Sequence, residues 1–157
     1  MPSLAASHRL RIGRCSEPNR IYLLSTNTLC REPIFKDFTL GRLVVAQFRA
    51  AQDQGFADSL AWVVMPDHVH WLIELHRGTL GSLMQRTKSL STQAVRRSTD
   101  RKISLWQNGF HDRALRREED LVNVARYVVA NPLRARLLAK VPAWFIGPVR
   151  SPSAPTG

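Results

Sequence analysis

The stretch from Trp62 to Leu75, WVVMPDHVHWLIEL, limits most tightly what this chain can fold into. Two apolar runs flank a Pro-Asp pair. Proline cannot donate to a strand ladder and presets a turn φ, and aspartate beside it favours the same break. The segment therefore reads as a β-hairpin. Side chains alternate along a strand, so His68 and His70 share a face, with Cβ atoms roughly 6–7 Å apart by the rise per residue. Val69, Trp71 and Ile73 point the other way, into a core. Two readings of the histidines stand: a platform for one divalent ion, or two imidazoles on a half-buried strand with no ligand.

The surrounding chain suits one domain. Its 157 residues are enough to bury a sizeable core. Charge narrows the partners: 23 Lys and Arg stand against 12 Asp and Glu, a net +11 with a pI of about 11.2. Such a surface attracts polyanions, nucleic acid above all. An anionic membrane is the competitor, but no apolar run approaches the ~20 residues of a spanning helix. Cys15 and Cys30 form no metal-type cluster, and Met1 to Cys15 lacks an apolar signal core. A cytoplasmic, nucleoid-associated protein is expected.

In chain order, residues 1–19 read as a basic mobile arm, 20–146 as a single domain, and 147–157 as a disordered Pro/Ser tail. Arg20 to Thr28 is a strand apolar on both faces, hence central. Thr39 to Gln54 has helical spacing at Leu40, Val44, Phe48 and Ala51, with Thr39 as N-cap and Gly55 closing it. After the hairpin, a second helix runs from Leu80 to about Arg97, with Leu80, Leu83, Met84, Leu90 and Ala94 inward. Arg86, Lys88, Arg96 and Arg97 lie outside that stripe and form a candidate phosphate-contacting face. Ile103 to His111 reads as a strand, and Asp112 to Glu119 as a charged connection.

The last helix, Glu118 to Asn131, opens on three acids suited to the positive end of its dipole. Tyr127 lies at the edge of its apolar stripe, beside Arg126, and Asn131 shares that face one turn on. Each has an ordinary explanation: a boundary tyrosine with a wetted hydroxyl, and a helix-terminal cap before Pro132.

Taken together, Met65-Pro66-Asp67-His68-Val69-His70, Gly81-Ser82-Leu83-Met84-Gln85, Trp106-Gln107-Asn108-Gly109-Phe110, Arg126-Tyr127 and Asn131-Pro132-Leu133-Arg134-Ala135 resemble the REP-associated tyrosine transposases. These belong to the His-hydrophobic-His superfamily of single-strand transposases and nickases. The match covers about residues 20–142, in order. It implies an α/β (α+β) ferredoxin-like sandwich, an antiparallel sheet with helices, whose C-terminal helix carries the tyrosine. It further implies cutting and rejoining of single-stranded DNA beside palindromic hairpins, with Mg²⁺ or Mn²⁺ as cofactor. By this resemblance His68 and His70 are the metal pair, Tyr127 is the nucleophile, and Asn131 stands where related enzymes place a third ligand. Arg86, Lys88, Arg96, Arg97 and Arg126 are the candidate DNA contacts. Asp67 departs from the asparagine usual before the first histidine, and a short Pro/Ser tail stands where the family has a C-terminal extension.

Two other classes compete. A catalytically silent DNA-hairpin binding protein would keep the basic surface without turnover. An RNA-binding domain of similar fold, with a zinc or empty histidine pair, would not need Tyr127. Monomer and homodimer are both open.

Overall fold

A computed structural model describes residues 16–115 together with Asn123 and Arg126. Among the described residues six main elements follow one another: β1 (Ile21–Asn27), α1 (Phe38–Asp53), β2 (Ala57–Met65), β3 (His68–Leu75), α2 (Leu80–Thr99) and β4 (His111–Leu115). They form one four-stranded antiparallel sheet in the order β2-β3-β1-β4. This βαββαβ sequence with its crossover is the ferredoxin-like arrangement expected above. Among the described residues, no helix is long and apolar enough to cross a membrane.

Alternation along the strands sorts the sheet into two unlike faces. Tyr22, Leu24, Trp62, Val64, Val69, Trp71, Ile73 and Leu75 face the helices, where Val44, Phe48, Leu80, Leu83, Met84 and Val95 meet them. The centre of this core is a stack of Phe48 on Trp71, with ring centroids 4.4 Å apart. One polar residue fastens it. Ser59 Oγ accepts from Trp71 Nε1 and donates to the Phe48 carbonyl, both at 2.9 Å. A buried indole N–H and a buried helix carbonyl are thus satisfied by a single hydroxyl. A bulge between Ser59 and Ala61 lies beside that hydroxyl on β2.

The hairpin turn falls at Pro66-Asp67, as the sequence predicts. Its carbonyls are tied to the segment after β1: Thr28 N donates to Asp67 O at 2.9 Å, and Phe35 N to Pro66 O at 3.0 Å. That segment contains two short 3-10 turns, Leu29–Arg31 and Ile34–Lys36. Cys30 and Arg31 both have positive φ, 55° and 54°. Two consecutive non-glycine residues in this region are uncommon, and strain of this kind persists only where surrounding contacts hold it.

Three local expectations are corrected. The N-cap of α1 is Asp37, whose side chain accepts from Thr39 N at 2.9 Å, and not Thr39. The inward stripe of α2 continues from Leu80, Leu83 and Met84 through Thr87, Ser91 and Val95, leaving Leu90 and Ala94 half-buried. Hydroxyls are tolerated there because Ser91 Oγ donates to the Thr87 carbonyl and accepts from Trp106 Nε1. Finally, residues 103–110 are a loop, tied by a bridge from Trp106 to Thr28, the residue after β1, and the strand is His111–Leu115. A strand that starts His-Asp-Arg shows no apolar alternation because, among the described residues, it is an edge strand, where charge is the usual protection against further pairing.

The end of the N-terminal arm is fastened. Ser16 Oγ accepts from Leu80 N at 3.0 Å, and Glu17 N donates to the Tyr22 hydroxyl at 2.9 Å. The remainder of the arm, the tail, and most of the helix expected from Glu118 to Asn131 lie outside the described residues. Asn123 and Arg126 within it are helical and exposed.

A candidate metal centre on the histidine face of the sheet

The face turned away from α1 and α2 carries the two histidines. Strand register places Met65, His68 and Asn27 in one row across the sheet, and Val63, His70, Ser25 and His111 in the next. Residues paired in an antiparallel ladder share a face. The two histidines therefore stand on the face opposite Val69 and Trp71, as their i, i+2 spacing predicts. Beyond them the same face turns apolar, with Leu60, Ala61, Val63, Met65, Leu72 and Leu115 in one buried cluster.

The imidazoles meet. Their ring centroids are 5.1 Å apart with planes at 80°. With a metal–nitrogen bond of about 2.1 Å, two imidazoles sharing an ion have centroids roughly 4.5–5.5 Å apart, so the spacing fits. Each ring also has its Nδ1 engaged. His68 Nδ1 donates to Asp67 Oδ1 at 2.7 Å, and His70 Nδ1 is hydrogen-bonded to Ser25 Oγ at 2.7 Å. At His68 the donating Nδ1 leaves the Nε2 lone pair available to a metal, and His70 matches it when its Nδ1 donates to Ser25 Oγ. Among the described residues, no group of three or more His, Cys, Asp and Glu converges. A pair of imidazoles would leave several coordination positions for a substrate oxygen or a further ligand.

Electrostatics favour the neutral form of His70. Burial, with the charge of neighbouring His68 adding to it, pushes the His70 imidazole down to about 4. His70 is therefore neutral at physiological pH, the form that ligates metal. At Asp67, burial works to raise the pKa. Hydrogen bonds from His68 and Arg31, together with their charges, outweigh it and hold the carboxyl below its ordinary value. Arg31 Nε donates to Asp67 Oδ2 at 2.9 Å, so the strained Cys30-Arg31 turn delivers a guanidinium to the outer side of the same carboxylate.

Ser25, Arg31 and His111 were not singled out from the sequence. Ser25 and His111 become neighbours of His70 only through β1 pairing, and Arg31 reaches Asp67 across 36 positions. No local signal marks them. Tyr22 is excluded from this face: it is buried among the helix-side residues, with its hydroxyl accepting from Glu17 N. Tyr127 and Asn131 lie outside the described residues.

The candidate DNA contacts differ in their partners. Arg86 donates to Gln54 Oε1 at 2.6 Å and lies over the Phe56 ring. Lys88 and Arg96 are bonded to carbonyls of the 103–109 loop. Arg97 is exposed on α2, and Arg126 is exposed.

The family description "Transposase IS200 like" matches residues 22–131. Two solved structures share the fold. A structure of the REP-associated tyrosine transposase bound to a REP hairpin is 21% identical with a TM-score of 0.65, covering 79% of this chain and 73% of that one. A crystal structure of a protein from Deinococcus radiodurans R1 assigned as a transposase is 17% identical with a TM-score of 0.54, covering 73% of this chain and 93% of that one. No curated protein matches the chain.

Proposed function

The chain belongs to the IS200-like transposase family, and from that membership and its histidine pair we propose that it cuts and rejoins single-stranded DNA beside hairpins. The reaction would depend on Mg²⁺ or Mn²⁺ and pass through a phosphotyrosine. The observation that carries this reading is the pairing of His68 with His70, whose ring centroids are 5.1 Å apart with both Nδ1 atoms hydrogen-bonded. The fold shared with a transposase structure described as bound to a REP hairpin supports the substrate class.

A divalent ion, when bound, supplies Lewis-acid withdrawal of charge from the scissile phosphate. His68 and His70 would hold it, with Asn131 as a third ligand. Asp67 orients His68, and Ser25 orients His70. A phenol with a pKa near 10 is a weak nucleophile at neutral pH and needs such an activated electrophile. Tyr127 Oη attacks phosphorus and its proton departs. The bond from phosphorus to the 3′ oxygen breaks, and that oxygen takes up a proton to become a free hydroxyl. By the family resemblance, the 5′ phosphate stays on the tyrosine. Rejoining reverses these steps and conserves the phosphodiester, so no ATP is consumed. Arg86, Lys88, Arg96, Arg97 and Arg126, within a net charge of +11, would bind the phosphate backbone with a strong dependence on salt.

The test is denaturing electrophoresis of a labelled hairpin oligonucleotide with a single-stranded flank, incubated with Mg²⁺ or Mn²⁺. A covalent adduct that needs the metal and is lost in His68→Ala/His70→Ala supports the reading. Tight hairpin binding with no adduct under any metal would make the protein a silent DNA-binding member of its family.

A further inference from the structure

We propose that the cleft between α2 and the 103–109 loop is a base-reading subsite, which takes one unpaired base of the DNA strand engaged at the histidine face. This rests on the single-stranded DNA reading above and adds where sequence is read. The cleft is an open groove of about 450 Å³. That lies within the range of about 300–1,000 Å³ typical of small-molecule sites, room for a nucleotide.

Its walls are held from both ends. Lys88 Nζ donates to the carbonyls of Gln107, at 2.9 Å, and Gly109. Arg96 Nε donates to the carbonyl of Ile103 at 2.9 Å. The two cations are just over two turns apart on α2, so they pin opposite ends of the loop to one helix. Trp106 is fixed between the pins by its Nε1 bond to Ser91 Oγ at 2.9 Å. The loop is therefore shaped before any ligand arrives, which lowers the cost of ordering a ligand there.

The lining between the pins is suited to a base edge. Gln93, Gln107 and Asn108 all border the cleft, and among the described residues none of their side chains has a hydrogen-bond partner. Each carboxamide offers donors and an acceptor together, the set that pairs bidentately with a base. Arg96 uses one N–H of a guanidinium that carries five. Trp106 adds aromatic surface, on which unpaired bases characteristically stack.

The cleft is wired to the histidine face by backbone. Gln107 N donates to the carbonyl of Asn27 at 3.0 Å, and Asn27 is the register partner of His68. Past Gly109 the chain enters β4, whose first residue, His111, lies across Ser25 from His70. His111 and Arg113 are exposed on this edge strand and on the histidine face. A single strand following that edge can reach both places.

The experiment measures binding of the full chain to a hairpin oligonucleotide whose flanking nucleotides are replaced one at a time by abasic sites. Wild type should show one position where loss of the base weakens binding roughly tenfold or more. Gln107→Ala/Asn108→Ala, and separately Gln93→Ala from the opposite wall, should abolish that position's sensitivity while binding the abasic oligonucleotide as wild type does. An unchanged sensitivity profile in both variants overturns the cleft assignment while leaving the proposed reaction standing. Equal weakening on every oligonucleotide, abasic ones included, overturns it as well, because the cleft would then hold backbone alone. If wild type does not bind the hairpin in preference to a random duplex, the functional reading falls and the subsite with it.

Discussion

Asp67 and His68 are adjacent in sequence and bonded through their side chains, with Asp67 Oδ1 accepting from His68 Nδ1 at 2.7 Å. Neighbouring residues rarely need such a bond for stability. Its effect is to commit one ring nitrogen, so that only Nε2 faces a prospective ion. The other carboxylate oxygen accepts from Arg31, which keeps the acid charged and in place.

Removing this support should weaken metal binding without removing a ligand. Asp67→Ala is expected to lower Mn²⁺ affinity by about 10- to 100-fold, the usual effect of losing a carboxylate behind a ligating histidine. Asp67→Asn should lose much less, because an amide oxygen still accepts from Nδ1. Calorimetric titration of the three proteins checks the order, and equal affinities would show that Asp67 does not orient His68.

Acid should destabilise the fold through His70. The unfolded chain takes up this proton near 6.5 and the folded chain only near 4. Between those values the unfolded state binds more protons, so stability falls as pH falls across that window. The contribution is fully present above 6.5 and amounts to about 3 kcal/mol. Urea midpoints measured from pH 7 to 4 should drop more steeply for wild type than for His70→Gln. Parallel curves would contradict the assignment.

Ser59→Ala removes a single oxygen yet should cost about 2–3 kcal/mol. It leaves the Trp71 indole N–H and the Phe48 carbonyl buried without their shared partner. Because Trp71 sits between His70 and Leu72 on β3, the loss also loosens the strand that carries the histidines. Urea unfolding followed by tryptophan fluorescence measures the change, and a loss under 0.5 kcal/mol, within the range of ordinary surface substitutions, would refute it.

Tyr127→Phe should abolish the covalent DNA adduct while hairpin affinity and folding survive, since the change deletes one oxygen. Tyr22→Phe should leave the adduct intact, because Tyr22 is buried on the helix side of the sheet. Peptide mapping of the adduct decides between them. An adduct that maps to Tyr22, or persists in Tyr127→Phe, is incompatible with the proposed reaction.

What the sequence determined by itself is whatever local periodicity and turn chemistry dictate. Alternation through Val69, Trp71 and Ile73 set the face of β3, and with it the shared side of His68 and His70. Pro66-Asp67 set the turn, and the apolar positions from Leu40 to Ala51 set the first helix. The family likewise followed from ordered motifs. Partnership across strands was another matter, because register joins residues that no window contains. Only the sheet brings Ser25 to His70 over 45 positions and His111 into the same row, and only the packed loop carries Arg31 to Asp67. The inward turn of Thr87 and Ser91 was hidden for a related reason. A hydroxyl reads as surface until a backbone carbonyl and the Trp106 indole are seen to satisfy it. The edge strand was missed because its charges answer to its place at the border of the sheet, and that place exists only once β1 has taken β3 on one side and β4 on the other.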